Sequence, residues 1–266
     1  MPDPRASGAE AGDRPAGRRV SAVLGGAVVV AGLAGAAFLG PGAGAAVRWL
    51  RGPEASPLWL SLRVAAGATV VAGVAGTACG YLLAKGRFAG RDLLEAVAGV
   101  PIILPPTVVG YYLLHVLGDS PTGRFLTRVT GGPLLFNATA CTIAAAVAAF
   151  PFCLRAARAA CAGVDPAPER AARAMGLPEW RVATTVTLPL ARREITAGVT
   201  LGFVRALGEY GATLMVGGDI FGRTRTMPIA VADAVTAAQT RTLVAILVTV
   251  AVVAIAVITR LGRGAP

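Results

Sequence analysis

Residues 134–154 read LLFNATACTIAAAVAAFPFCL, a stretch with no Asp, Glu, Lys or Arg. A helix needs about 20 mostly apolar residues to cross the hydrocarbon core of a bilayer, and this stretch is long enough. Five further candidates lie to either side. Residues 20–47 are charge-free, 58–84 are apolar after Arg63, and 96–117 are interrupted only by His115. Residues 189–216 are apolar in their middle but hold Arg205 and Glu209, and 242–259 are again charge-free. The chain of 266 residues is 55% hydrophobic and 15% charged, with a mean hydropathy of +0.66. A soluble domain carries roughly 25% charged residues. The expected architecture is an all-α integral membrane protein of about six transmembrane helices.

The net charge of +11 invites a nucleic-acid reading, because basic surfaces release counterions from phosphate backbones. The distribution excludes it, since the arginines flank apolar runs and no basic patch with interleaved aromatics occurs. Such flanking follows the positive-inside rule of polytopic proteins. With six spans, one set of loops holds the N-terminal tail, residues 85–91, residues 155–193 and the C-terminus. That set carries 16 Lys and Arg residues against 8 in the other set. The bias places both termini in the cytoplasm of a multi-pass protein of the cell membrane.

Residues 1–19 are rich in Pro, Gly, Ala and Arg without apolar periodicity, and read as a disordered cytoplasmic tail. Arg14, Arg18 and Arg19 then lead into 20–47, which resembles a signal peptide in charge order. Its length favours a retained first span. Cys79, Cys141, Cys153 and Cys161 form no CxxC pair and His115 is the only histidine. A zinc site therefore has almost no ligands, and small buried cysteines are expected instead. No cofactor is expected on the chain.

The segment between spans four and five has helix signals of its own. Asp165-Pro166 can cap and start a helix, Gly176 can end it, and Pro178 can begin another. Two short helices with a glycine turn are expected within 163–189. Ala171 and Ala172 allow a helix to approach another surface closely, and Gly176 permits the reversal. An ordinary amphipathic connector would also carry these features.

Arg170-Ala171-Ala172-Arg173-Ala174-Met175-Gly176, nine residues, then Val186-Thr187-Leu188-Pro189 resembles the EAA loop of ABC importer permeases. That pattern runs Glu-Ala-Ala, three residues, Gly, nine residues, a β-branched residue, any residue, Leu-Pro. Arg170 stands where the family has glutamate, and Glu169 lies one residue earlier. The resemblance implies a helix seated in a cleft of a separate ATPase subunit. The stretch 205–218, RALGEYGATLMVGG, closely resembles molybdate permeases and, less closely, sulfate permeases. Residues 101–112 and 222–230 resemble further molybdate-type stretches, and the likeness extends over 57–260, the expected permease domain.

Pro101, Pro105 and Pro106 are expected to break a helix at membrane depth, which is tolerated only beside protein or a water-filled cavity. Thr107 offers a hydroxyl and Gly110 close approach, and N–H groups at such breaks can hold an oxyanion. A kink that lines nothing is the equal alternative. Arg205 and Glu209, four apart, share a helix face and can pair. An ionisable residue in a span is functional by default, although a self-neutralised pair is at least as expected here. With Thr213 of the molybdate-like stretch, these residues form the candidate path.

The only lysine, Lys85, is followed by Gly86 and Arg87, so no phosphate-binding loop is present. The resemblance therefore implies the permease subunit of an ATP-driven importer. It would work as two identical copies with two ATPase subunits and an extracytoplasmic oxyanion-binding protein, surrounded by membrane lipid. Molybdate is the expected cargo; tungstate has the same shape and charge, and sulfate follows. An ion-coupled secondary carrier would require unpaired intramembrane acids, and a membrane enzyme would require a catalytic set that the chain lacks.

Overall fold

The computed structural model describes residues 56–86, 88–118, 120–234, 248–253 and 255–256. The expected tail 1–19 and first span 20–47 lie outside the described residues, as does much of 242–259. The described elements are helical in order. Helix α1 covers Ser56–Lys85, α2 Arg91–Ile103, α3 Pro106–Leu117, α4 Pro121–Thr130 and α5 Ala138–Ala162. Then follow α6 Pro166–Ala174, α7 Glu179–Val182, a π-helical segment Ala183–Thr187, α8 Leu188–Leu207, α9 Gly211–Gly217 and α10 Met227–Ala234.

Helix α5 is the central element, packed against both α1 and α8, which also touch each other. Helices in lipid gain nothing from moving apolar surface against one another, so close packing of small residues must hold them. That is what the sequence supplies. A β-carbon on Gly76 of α1 would lie 2.7 Å from Cys153 Cβ, and one on Gly80 2.7 Å from Ala157 Cβ. From α8, a β-carbon on Gly198 would meet Ala156 Cβ at 2.1 Å, and one on Gly202 would meet Cys153 Sγ at 2.6 Å. Ala65, Ala68, Ala72, Ala145, Ala149 and Cys153 are buried in the same core. All four cysteines are free, and three are buried as apolar residues.

Two helices, Ser56–Lys85 and Ala138–Ala162, are each long and apolar enough to cross a membrane. The expected spans 96–117 and 189–216 are each broken rather than continuous. The first divides into α2 and α3, bent by 112°. A residue before proline is steered away from the helical region. Leu104, before Pro105, is extended at φ −73°, ψ 141°, and Pro105, before Pro106, at φ −54°, ψ 137°. Two extended residues in succession turn the chain. Pro101 breaks nothing; it remains inside α2.

The second expected span divides into α8 and α9. Gly208 closes the last turn of α8 through its N–H to Val204 O at 3.1 Å. The Glu209 carboxylate then accepts from Ala212 N–H at 2.8 Å, satisfying a donor at the start of the next helix. Such local side-chain bonds compete with helix continuation.

Helix α5 runs to Ala162, so Arg155 and Arg158 belong to its last turns and not to the following loop. Arg158 pairs with Glu95 of α2. In the loop, Asp165 caps α6 by accepting from Ala167 N–H at 2.9 Å. Gly176 turns the chain at φ +82°, and Pro178 precedes α7, as its residues lead one to expect. The second helix does not stop, however, but continues through the π segment into α8. Helix α4, capped by Ser120 Oγ accepting from Gly123 N–H at 3.0 Å, has no counterpart in the sequence expectations. Met227 N–H donates to Ser61 Oγ at 2.7 Å, tying α10 to α1.

Candidate functional site

The structure gathers the candidate residues into two groups. The first is the loop after α5. Helix α6 turns Glu169 and Ala172 inward and leaves Arg170, Ala171, Arg173 and Met175 exposed. Of the two alanines expected to permit close approach, only Ala172 packs against the chain; Ala171 faces outward. Glu169 is 2% exposed. Its Oε1 lies 2.8 Å from Lys85 Nζ at the end of α1 and accepts from Thr187 Oγ1 at 2.7 Å. Arg173 Nη2 stands 3.9 Å from its other oxygen.

Arg173 also forks onto Glu179, donating from Nε to Oε1 at 2.6 Å and from Nη2 to Oε2 at 3.2 Å. That hydrogen bond holds the Glu179 carboxyl below the usual carboxylate range and raises the guanidinium above its own. The two arms of the loop are thereby clipped together across Gly176, which is exposed with open space around its α-carbon. Leu188 is half-buried and Pro189 exposed in the first turn of α8.

Two large apolar side chains stand out from this loop, Met175 at 73% and Trp180 at 64% exposure. Arg181 lies over the Trp180 ring at 5.1 Å. The sequence reading passed over both residues, and over Lys85 as a contact. Lone large apolar residues between charged neighbours were the available signal.

The second group joins the two helix breaks. Helices α3 and α9 lie side by side. A β-carbon on Gly110 would be 2.7 Å from Ala212 Cα, and one on Gly211 3.0 Å from Pro106 Cβ and 3.1 Å from Thr107 N. Pro105, Pro106 and Thr107 are exposed beside this contact. Glu209 is 2% exposed, with Oε2 2.5 Å from Arg205 Nη1. The two residues pair as expected, but across the end of α8 and not along one continuous helix. Thr213 Oγ1 donates to the carbonyls of Glu209 and Tyr210, each at 3.0 Å. Glu209 Oε1 and Thr213 Oγ1 are thus bonded at the break, Glu209 Oε2 faces the part-exposed Arg205, and the Thr107 side chain is exposed.

The 222–230 stretch follows at α9's far end. Thr224 Oγ1 accepts from Ile220 N–H at 3.0 Å. Arg225 donates to both oxygens of Asp219 at 2.6 and 2.8 Å and pairs with Asp233 at 3.2 Å. His115 is exposed on α3.

Residues 76–263 match the family described as binding-protein-dependent transport system inner membrane component. Over 182 residues the chain is 41% identical to the molybdenum transport system permease protein ModB of Escherichia coli strain K12, covering 68% of this chain and 80% of that one. The corresponding ModB of Haemophilus influenzae is 38% identical over 178 residues, 66% of this chain and 78% of the relative. Sulfate permease 2, chloroplastic, of Chlamydomonas reinhardtii is 33% identical over 161 residues, 60% and 44% of the two chains. Among solved structures, the inward-facing MetNI methionine ABC transporter shares the fold. Its TM-score is 0.59 at 19% identity, over 78% of this chain and 93% of the other.

Proposed function

The chain belongs to the binding-protein-dependent transport system inner membrane components, and from that premise we infer that it is the permease subunit of an ATP-driven importer that brings molybdate into the cell. The observation that carries the cargo is the 41% identity to a molybdenum permease over 80% of that relative. Likeness to a sulfate permease is lower and covers less than half of it. Tungstate shares the shape and charge of molybdate and would follow the same route.

Hydrolysis falls to a separate ATPase subunit, because Lys85 is the only lysine and no phosphate-binding loop surrounds it. Helix α6 and its exposed neighbours Met175 and Trp180 suit a docking surface for that subunit. The Lys85–Glu169 contact puts the end of α1 and the 163–189 loop on one side, in keeping with the charge bias that makes both cytoplasmic. Both termini then face the cytoplasm. Exposed Val70, Val71, Val74 and Leu82 on α1 suit contact with lipid.

A second copy of the chain would complete the pathway. Pro105, Pro106 and Thr107 stand on the outside of this helix bundle, where a facing copy could enclose them. In alternating access, ATP would close the ATPase pair, carry the docked α6 helices with it and open the spans outward to the binding protein. Glu209 supports no secondary-carrier role, since Arg205 and Ala212 N–H occupy its carboxylate.

The test is cellular molybdenum content with and without the gene, at nanomolar molybdate and ample sulfate. A sharp fall, rescued by high external molybdate, is expected. An unchanged molybdenum level would redirect the cargo toward sulfate or another anion.

A further inference from the structure

Helix α6 is mostly exposed, and its attachment to the rest of the chain is narrow. Glu169 and Ala172 are its buried residues. A single oxygen of Glu169 meets both Lys85 Nζ at 2.8 Å and Thr187 Oγ1 at 2.7 Å. Lys85 ends α1 and Thr187 ends the π segment that runs into α8. One carboxylate therefore joins α6 to α1 and α8, both packed against α5. A methyl group, as at Ala172, can slide against its neighbours. A charged contact in a low-dielectric setting resists displacement far more strongly.

On the importer reading, we propose that Glu169, held by Lys85 and Thr187, is a positioning residue that passes displacement of α6 to α1 and α8 together, and is not itself a contact for the ATPase. Its burial argues for the distinction. Glu169 is 2% exposed, with Oε1 committed to Lys85 and Thr187, whereas Arg170, Met175 and Trp180 face outward. Thr187, fully buried, spends its hydroxyl proton on Glu169.

The sole lysine makes the contact directly measurable. The purified full-length chain in detergent is treated with acetic anhydride, and acetylation of Lys85 is read by mass spectrometry. Lys85 is expected to be protected in the wild type and to react several-fold faster in Glu169→Gln. Equal rates would overturn the contact. The chain is then assembled with its ATPase and binding protein in liposomes, and molybdate uptake and ATP hydrolysis are measured together. Glu169→Gln is expected to bind the ATPase and hydrolyse ATP, with uptake per ATP reduced about tenfold, a coupling of ordinary size between sites. Lys85→Arg, which keeps the charge, is expected to retain most of the coupling.

Wild-type uptake per ATP in Glu169→Gln would overturn the proposal. So would loss of ATPase binding in that variant while Lys85 stays protected, because Glu169 would then be a docking contact. Should the glutamine variant not assemble, Thr187→Val, which removes one hydrogen bond and no charge, takes its place. A partial fall in uptake per ATP supports the proposal, and an unchanged ratio overturns it. A wild-type complex that neither binds an ATPase nor takes up molybdate would overturn the importer reading itself. Failure of the proposal alone leaves wild-type uptake intact.

Discussion

A β-carbon placed on Gly110 would lie 2.7 Å from the α-carbon of Ala212 and 2.8 Å from Met215 Cβ, so the half-helices α3 and α9 meet almost backbone to backbone. A methyl group there has no flexible side-chain tip to displace and must part the helices. Gly110→Ala is expected to cost about 1–3 kcal/mol, the usual range for overpacking, and to lower both the melting temperature in detergent and molybdate uptake. Gly132→Ala, where a β-carbon meets nothing within 4 Å, should change neither. Wild-type melting of the Gly110 variant would show that this contact constrains nothing.

The Arg205–Glu209 pair, with its carboxylate buried and its guanidinium part-exposed, makes a separate prediction. Replacing Arg205 with Met leaves a carboxylate with 1% side-chain exposure without its cation. Removal of one partner from a fully buried pair costs about 3–5 kcal/mol, and the part exposure of Arg205 makes the cost here smaller. Glu209→Gln retains an oxygen for Ala212 N–H, so the double variant Arg205→Met/Glu209→Gln is expected to recover much of the loss in a thermal double-mutant cycle. Because the two groups face each other, uptake by the double variant should stay within a few-fold of wild type. A stable double variant that takes up no molybdate would instead place the pair on the anion path.

The membrane class and the two-helix loop were legible because each rests on a local signal. Charge-free length marks a span, and Asp165, Gly176 and Pro178 are local stop and start residues. The two helix breaks were only half legible. Hydropathy averages across Leu104–Pro105 and across Gly208–Tyr210 without registering a turn, and three prolines in a row of six residues do not reveal which one acts. The loop's attachment was less legible still. Lys85 and Glu169 are far apart in sequence, and the loop pattern includes both Glu169 and Arg170 without telling the buried side chain from the exposed one.

Gly176 adopts φ +82°, a conformation that costs an L-residue roughly 1–2 kcal/mol. No neighbour stands where a side chain would go, so Gly176→Val should fold, with strain confined to the turn between α6 and α7. That strain would tilt α6 against the Arg173–Glu179 clip. Uptake is expected to fall while ATP hydrolysis by the assembled complex persists. Normal uptake in this variant would count against the loop as the coupling element. Arg170→Ala, at an exposed side chain, is expected to be mild, and complete loss of ATPase association in that variant would make Arg170 a principal docking contact.

Met175 and Trp180 supply the remaining prediction, since each exposes most of its apolar surface from a loop otherwise rich in charge. On the importer reading these two exposed apolar groups suit the ATPase interface, and aromatic anchors carry a disproportionate share of interface energy, commonly about 2 kcal/mol or more for a Trp at the centre. Neither residue belongs to the buried core around α5, so truncation removes partner contacts without opening a cavity. Trp180→Ala also forfeits the stacking of Arg181, a minor loss of about 0.5–1 kcal/mol at an exposed site. Trp180→Ala and Met175→Ala are therefore expected to leave the melting temperature of the isolated chain nearly unchanged. Both should sharply reduce the ATPase that copurifies with it, Trp180→Ala the more so. If both variants retain the ATPase at wild-type stoichiometry through a salt wash, the docking face lies elsewhere on the chain, because no other part of this loop presents comparable apolar area.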